Sequence, residues 1–580
     1  MSEIKCFKEV IQMSGIYMDA DVLVIGGGMA GMRAAIEANS LGAKVVMAFK
    51  GKLGKTGAGI CAYHGAGVGP WSTPQDSKEL HLKDVIKCGG YLADQELCKI
   101  MIDEVPDRLV ELEKYGLFWE RKNDGGIDAY LGSGHSEPRT ISTYRRQAGL
   151  SIHQALKAEI TRRQIAVIED TMVTTLILRN ESVVGATALH YTNGEFMNFR
   201  AKSVIICTGS HSQVFPSCTT PPDCTGDGVV MGYHAGAELI NMEQALYVFG
   251  LSHPHTWRGI LVPTLFKVGG DILHLLNKKG ERYMQRYDPE HLEMATKDVH
   301  ALSAYKEIQR GMGGGEKGDT LYADLRHLPY KEMREKLGDL VTCMEEMELD
   351  VRKDLIEITP TAHETMGGIR INARCESTVP GLFAAGSAIG AIYGNDGIPG
   401  RGTGHALVFG KRAGEYASKR AADVPAPSLD NSEVERERQR VHNLLDRENG
   451  IRPHPLMKKL QQLMEQSFWV AKDEAHMRRA LEEILKLREE EVPRLSLSSR
   501  TKRFNLEWVN ALEVEKMIDV AEMMIRSALP RKESRTTFLR EDYPEEDNVN
   551  WLKNIVVQKK NGEMHISTVP VKLIYVRPEE

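Results

Sequence analysis

Read for apolar and polar positions, the chain makes its first clear change of period between residues 21 and 38. Val22, Leu23, Val24 and Ile25 form an unbroken apolar run, the pattern of a parallel strand buried on both faces. From Gly31 onward Met32, Ala35, Ile36 and Ala38 recur at helical spacing, with no breaker before Gly42. The segment therefore predicts strand, tight turn and helix, followed by a second strand over residues 43–48 (AKVVMA). A later apolar run, VIICTG at 204–209, predicts another buried strand. Residues 241–355 mix short strand patterns with charged helices such as YKEMREKLGDLVTCMEEM. The Pro- and Ala-rich stretch 421–430 (AADVPAPSLD) reads as a linker. Beyond it, residues 454–491 keep a long helical periodicity with charged outer faces, which is the pattern of solvated helices.

The turn carries the first chemistry. Gly26, Gly28 and Gly31 stand at the three fingerprint positions of a dinucleotide-binding βα turn. The first permits the tight turn, the second lets a pyrophosphate lie on the backbone, and the third lets helix and strand pack closely. The helix N-terminus then presents unpaired N–H groups and a positive dipole end to the phosphates. Nicotinamide folds favour an acid at the end of the second strand, but Phe49 and Lys50 stand there, which weakens an NAD reading. Residues 50–69 follow with seven glycines, a loop whose backbone amides can approach a flat polar ring system.

Composition narrows the class. At 580 residues the chain is expected to form two to four domains. Its 42% apolar and 27% charged residues are those of an ordinary globular protein, and the net charge of −6 argues against a nucleic-acid surface. No apolar run approaches membrane-spanning length, and the first twelve residues lack the apolar core of a signal peptide, so a cytoplasmic location is expected. Nine cysteines are scattered without a CxxC pair, which predicts free thiols, no metal site and no iron–sulfur cluster within this chain.

Taken in order, VLVIGGGMAGMRAA, LGKTGAGICA, GLFWERKNDGGI, VIICTGS, CTGDGVVMGYHAGAELINME, NKKGERYM, ITPTAHETMGGIRIN, VPGLFAAGSAIG and PGRGTGHALVFGKRAGEYA resemble the flavoprotein subunits of the succinate dehydrogenase, fumarate reductase and adenylylsulfate reductase superfamily. The resemblance continues through 511–553 and covers nearly the whole chain. It implies an α/β fold with a Rossmann-like FAD-binding domain in two segments (1–240 and 356–425), an inserted α+β capping domain (241–355), a C-terminal helical domain (431–545) and a tail (546–580). It also implies non-covalent FAD, since Gly57 aligns with the histidine that carries the flavin in succinate dehydrogenases. Gly26, Gly28 and Gly31 would hold the pyrophosphate; Lys50, Thr56, Gly57 and Ala58 would line the ribityl and ring region. Thr208, Gly209, Asp227, Gly386 and Ser387 would also contact FAD, with Ala406 and Leu407 at its pyrimidine edge. Ser387 stands where a glutamate is common.

For the substrate, the resemblance points to His363 in HETMGG and Arg401 in RGTGHAL as ligands of a small anion. Glu364 replaces the usual tyrosine and His405 the usual asparagine. Arginine suits the task because its planar fork grips carboxylate, sulfate or phosphate in two places. The bland alternatives are a packed histidine and a surface ion pair. The family's histidine–proline–threonine after INME is missing, HPHT (253–256) arrives late, and Phe266 and Lys267 stand where a proton-donating arginine is expected before a double glycine. His253, Arg258 and Lys267 are therefore candidates for acid–base or anion-binding roles, with His255 and Tyr393 behind them. The partial match makes fumarate or succinate itself less expected than another small anion. The implied activity is that of an FAD-dependent reductase or dehydrogenase subunit served by a ferredoxin-like iron–sulfur partner in an oligomeric complex. Two rivals stand beside it: a sulfur-oxyanion reductase, suggested by KTGAG, and a non-catalytic electron-transfer flavoprotein, suggested by the altered capping residues.

Overall fold

The computed structural model describes residues 16–144, 147–261 and 273–578. Its largest sheet is seven-stranded, with the strand Ile16–Ile25 near its centre. That strand pairs in parallel with Val45–Ala48 on one side and Glu195–Ile206 on the other. Both faces are covered, which is why residues 22–25 are apolar without alternation; Val22, Leu23 and Val24 are fully buried. The long strand Glu195–Ile206 is shared lengthwise. Its first half pairs antiparallel with Ser182–His190, and its last three residues pair in parallel with Leu382–Ala384. A segment from far along the chain thus completes the sheet.

The helix Met29–Ser40 follows the glycine turn and ends before Gly42, where the apolar period stops. Its outer neighbour is the helix Arg401–Asp423, which we call the clamp helix. The two lie backbone to backbone, because a Cβ on Gly410 or Gly414 would come within 2.6 or 2.3 Å of the carbonyls of Ala30 and Ala34.

The inserted cap has its own four-stranded antiparallel sheet in the order Ala245–Leu251, Ile356–Thr365, Leu321–Asp324, His274–Leu276. The helices Lys297–Glu307 and Tyr330–Glu346 accompany it. Its apolar core, including Val248, Leu275, Leu321, Val341 and Ile358, is separate from that of the rest of the molecule. The strand Ile356–Thr365 starts in the cap and delivers its C-terminal residues to the main sheet's edge, so His363 and Glu364 sit where the two bodies meet.

The periodic stretch 454–491 is not one helix. It forms Pro453–Phe468 and Glu474–Lys486, because Asp473 caps the second by accepting from the His476 amide. The C-terminal stretch forms a hairpin, Lys553–Lys560 with Glu563–Pro570, docked on Leu239–Ile240. Buried ion pairs tie these parts together. Fully buried Arg531 pairs with Glu243 at 3.0 Å and Glu533 at 2.8 Å, and Arg535 pairs with Glu533 at 2.7 Å.

Candidate active site

A cavity of about 240 Å³ runs from the glycine turn across the sheet edge to the contact between cap and clamp helix. At its first end, Gly26 has φ +119°, and a Cβ there would meet the Cys207 carbonyl at 2.2 Å. Only glycine makes this turn. Gly28 faces the cavity beside Gly57 with no side chain between them. Gly31 does not line the cavity; it lets the helix close on the strand, since its Cβ would fall 2.0 Å from the Gly26 carbonyl.

Of the other cofactor candidates, Lys50, Thr56, Gly57, Ala58, Thr208, Gly209, Asp227, Gly386, Ser387 and Ala406 all line the cavity. Leu407 does not, and is fully buried in the clamp helix. Lys50 takes the place of the ribose acid, and its ammonium reaches Asp227 at 2.8 Å and Glu513 at 2.6 Å. Burial opposes its charge, but the two carboxylates outweigh that and push its pKa up. Burial likewise opposes ionisation of Asp227, yet Lys50 and Lys516 hold its carboxyl below the usual range. Glu513 belongs to the helix Leu506–Ala528, so the C-terminal helices reach the cofactor wall. Thr208 Oγ1 and Asp227 Oδ1 are buried cavity atoms without a protein partner. Unpaired polar atoms facing a smooth glycine-lined trough fit a dinucleotide that supplies the missing bonds.

The other end carries the charge. Arg401 opens the clamp helix after Gly400 (φ +83°), a turn pressed against Ala66 of the glycine-rich loop. Its side chain is only 5% exposed. The guanidinium lies flat against Gly397, where a Cβ would sit 1.8 Å from Nε, and stacks 4.4 Å from the Tyr393 ring centre. Nη1 donates to the Asp396 carbonyl at 3.2 Å, and Nη2 reaches Glu364 Oε2 at 3.4 Å. Tyr393 is thus a support: its hydroxyl donates to the Arg401 carbonyl at 3.0 Å.

His363 also lines the cavity, with Nδ1 2.6 Å from the Thr219 hydroxyl. Burial, with Lys297 and Arg401 nearby, pulls its pKa down to about 4, so the ring is neutral at neutral pH. His405 is also neutral, pulled to about 4 chiefly by burial. Glu364 stays ionised: burial works against it, but Arg401 and a hydrogen bond from Ser387 hold its pKa below the ordinary value.

The remaining sequence candidates lie elsewhere. His253 is exposed and does not line the cavity. Arg258 pairs with Asp319 at 3.3 Å in the cap, also away from the cavity wall. Neither is a wall residue, although the chain touches the cavity before them at Val248 and after them at Leu261. His255 falls in the short helix His255–Trp257. Lys267, with Phe266, lies outside the described residues.

Lys297 is the cationic group that sequence reasoning missed. It is the first residue of the cap helix Lys297–Glu307, lines the cavity, and donates to the Gly397 carbonyl at 2.6 Å. Burial and then Arg401 lower its pKa. A signal was present: a lysine directly after the N-cap position opposes the helix dipole, an arrangement that stability alone disfavours. Among the described residues no cluster of His, Cys, Asp and Glu could hold a metal ion, and no helix is long and apolar enough to cross a membrane.

Known proteins share both the sequence pattern and the fold. Residues 21–400 match the FAD binding domain family and residues 457–580 the Fumarate reductase flavoprotein C-term family. One chain of the fumarate reductase (CoM/CoB) of Methanothermobacter marburgensis is 35% identical over 550 residues, covering 93% of this chain and 97% of that one. The fumarate reductase flavoprotein subunit of Haemophilus influenzae is 28% identical over 582 residues, covering 97% and 96%. A solved chain of Escherichia coli quinol fumarate reductase superposes with a TM-score of 0.90 at 27% identity, covering 97% and 99%. Adenylylsulfate reductase from Archaeoglobus fulgidus, at 20% identity and a TM-score of 0.78 over 98% of both chains, shares the fold. Two family matches spanning most of the chain, on a cavity with unpaired polar atoms along a glycine trough, lead to one conclusion: this chain belongs to the FAD-dependent flavoprotein subunits of the fumarate reductase and succinate dehydrogenase family.

Proposed function

We propose that this chain is the catalytic subunit of a reductase that adds hydride and proton across the C=C bond of a small carboxylate, or runs the reverse reaction. The observation that carries this reading is the meeting of Arg401, His363 and Lys297 at one end of the FAD cavity. FAD, when bound, supplies the hydride chemistry. Arg401 is held in place by Tyr393, Gly397 and Glu364 and grips one carboxylate with its fork. Neutral His363, oriented through Thr219, leaves Nε2 to hydrogen-bond the substrate without adding charge. Lys297 is the acid that protonates the substrate carbon in the reductive direction and accepts the proton in the oxidative one. Its depressed pKa brings it closer to the range where proton transfer is efficient in both directions.

The absence of a side chain at Gly57 supports non-covalent FAD. The relative that is a fumarate reductase, at 35% identity, supports carbon chemistry over a sulfur oxyanion, for which the likeness is one of fold alone. Electrons would reach the flavin from a ferredoxin-like iron–sulfur subunit. The chain would work inside such a complex.

The test uses the FAD-loaded protein with reduced methyl viologen as donor, offered fumarate, crotonate, adenylylsulfate and sulfite in turn. Oxidation of the dye by an enoate is expected, abolished in Lys297→Met with FAD content intact. Turnover of adenylylsulfate alone, or full activity in Lys297→Met, overturns the reading. Dye oxidation by none of them supports an electron-transfer flavoprotein without a working substrate site.

A further inference from the structure

The strand Ile356–Thr365 brings an acid as well as a histidine to the anion end. Its register against Ala245–Leu251 shifts between Leu246 and Tyr247: Leu246 faces Glu364, Tyr247 faces Ala362, and His363 is the extra residue between them. An extra residue bends a strand and re-aims its side chains. Neighbours on a regular strand point to opposite faces, yet His363 and Glu364 both line the cavity. The bulge therefore sets a carboxylate beside the clamp arginine, with 19% of its side chain exposed. Its two oxygens have different neighbours. Oε1 accepts from the Ser387 hydroxyl, and Oε2 lies 3.4 Å from Arg401 Nη2. That separation is long for a charge-assisted bond, ordinarily about 2.7–2.9 Å. A carboxylate has about four lone-pair sites, so both oxygens can still accept from a ligand.

The charges at this end match a single carboxylate. Among the described residues the lysines and arginines of the cavity wall are Lys50, Lys297 and Arg401, and Lys50 is engaged with Asp227 and Glu513 at the cofactor end. His363 and His405 are neutral. Lys297 and Arg401 bring two positive charges and Glu364 one negative, which leaves one positive charge for a ligand to balance. Asp396, 1% exposed behind the wall, supplies no further positive charge; burial and then Asp298 push its pKa up to about 7. A second ligand carboxylate would leave a buried negative charge without a partner and with Glu364 close by, an arrangement that is strongly unfavourable.

We propose that Glu364 makes this a site for a monocarboxylate whose other end carries a hydrogen-bond donor (an amide, hydroxyl or ammonium group) and turns dicarboxylates away. The inference rests on the enoate-reductase reading above, with Arg401 as the clamp and Lys297 as the acid, and it names the substrate class for that site. Arg401 holds the single carboxylate, Glu364 accepts from the donor, and the Ser387 hydroxyl fixes the Glu364 carboxylate in place. Glu364 is thus a specificity-determining residue, attractive toward a donor and repulsive toward a second anion. A packing role alone would be filled as well by glutamine, which has the same shape and keeps an oxygen for Ser387.

The experiment uses the FAD-loaded protein, reduced methyl viologen and three small enoates: fumarate, its monoamide fumaramate, and crotonate. Fumaramate and fumarate differ only in whether the second end is an amide or a carboxylate. In the wild type, kcat/KM for fumaramate is expected to exceed that for fumarate by about 100-fold, the scale of one like charge set beside another. Crotonate, which lacks both groups at that end, should fall between them. Glu364→Gln should shrink the ratio of fumaramate to fumarate by about 10-fold or more, whereas Glu364→Asp should keep the preference for fumaramate. Equal or inverted preference in the wild type, or an unchanged ratio in Glu364→Gln, overturns the inference and leaves the enoate-reductase reading standing. Turnover of none of the three by the wild type overturns that reading instead. The ligand class is then decided by binding, read as the change in flavin absorbance on titration with the saturated monoamide succinamate and with succinate. Tighter binding of succinamate by about 10-fold or more upholds it; equal affinity, tighter succinate or no binding of either overturns it. A Glu364→Gln protein that does not retain FAD leaves the decision to the wild-type order of the three enoates.

Discussion

Arg401 shows how much one residue's role depends on its supports. Its fork is pinned by a ring on one face, a glycine backbone on the other and a carboxylate at its tip. Arg401→Lys keeps the charge but not the planar fork, so kcat/KM for an enoate should fall by about 10-fold or more while FAD content is unchanged, read by steady-state kinetics and flavin absorbance. His211 offers a prediction away from the chemistry. It is fully buried, both ring nitrogens lack a protein partner, and burial pulls its pKa down to about 3. The unfolded chain takes up a proton near the ordinary histidine value, whereas the folded protein does not until about pH 3. Its contribution to stability is therefore lost as pH falls from about 6.5 toward 3. His211→Gln should flatten the pH dependence of unfolding over that window by one proton, measured by urea melts at several pH values. At this scale Gly26 and Gly28 were legible from a local motif, and His363 and Arg401 through the family resemblance of HETMGG and RGTGHAL. Lys297, Glu364 and Asp396 were not. Their significance comes from the neighbours they meet, and those neighbours are distant in sequence.

Among the elements, the contact between the fingerprint helix and the clamp helix aligns the two ends of the cavity. It relies on Gly410 and Gly414, which let the backbones touch. Gly414→Ala should cost about 1–3 kcal/mol through overpacking and weaken FAD retention, because the added methyl would meet the Ala34 carbonyl. Gly402→Ala on the same helix meets nothing within 4 Å and should instead gain up to about 1 kcal/mol from helix propensity. Thermal melts of the two variants should move in opposite directions. The turn, its helix and the strand at 204–206 could be read from hydrophobic period and glycine position. The break at Asp473 was less visible, since the apolar pattern runs through it and only the cap geometry divides it.

At the level of the whole molecule, three parts far apart in sequence converge on one cavity. The glycine-rich sheet domain supplies the trough, the cap supplies Lys297, and the helix Leu506–Ala528 supplies Glu513 to the Lys50 ion cluster. Glu513→Gln should therefore affect the cofactor although Glu513 itself is not part of the cavity wall. Lys50 keeps Asp227 but loses half its counter-charge, and FAD should be released more readily on gel filtration, with a lower melting temperature. An unchanged flavin content would show that the C-terminal helices do not stabilise the cofactor wall. The family resemblance pointed to Arg401; by itself the sequence determined the strand, turn and helix at the start and the glycine-rich trough. These rest on interactions among residues a few positions apart, where glycine conformation and apolar period decide the outcome. The tertiary structure alone decided which charges share the anion end. Lys297 meets Gly397 across 100 residues and Arg401 meets Glu364 across 37. A buried ionisable group takes its pKa from whatever packs against it, so no local pattern could state what Lys297, Asp396 and His363 become once the cap has closed on the sheet.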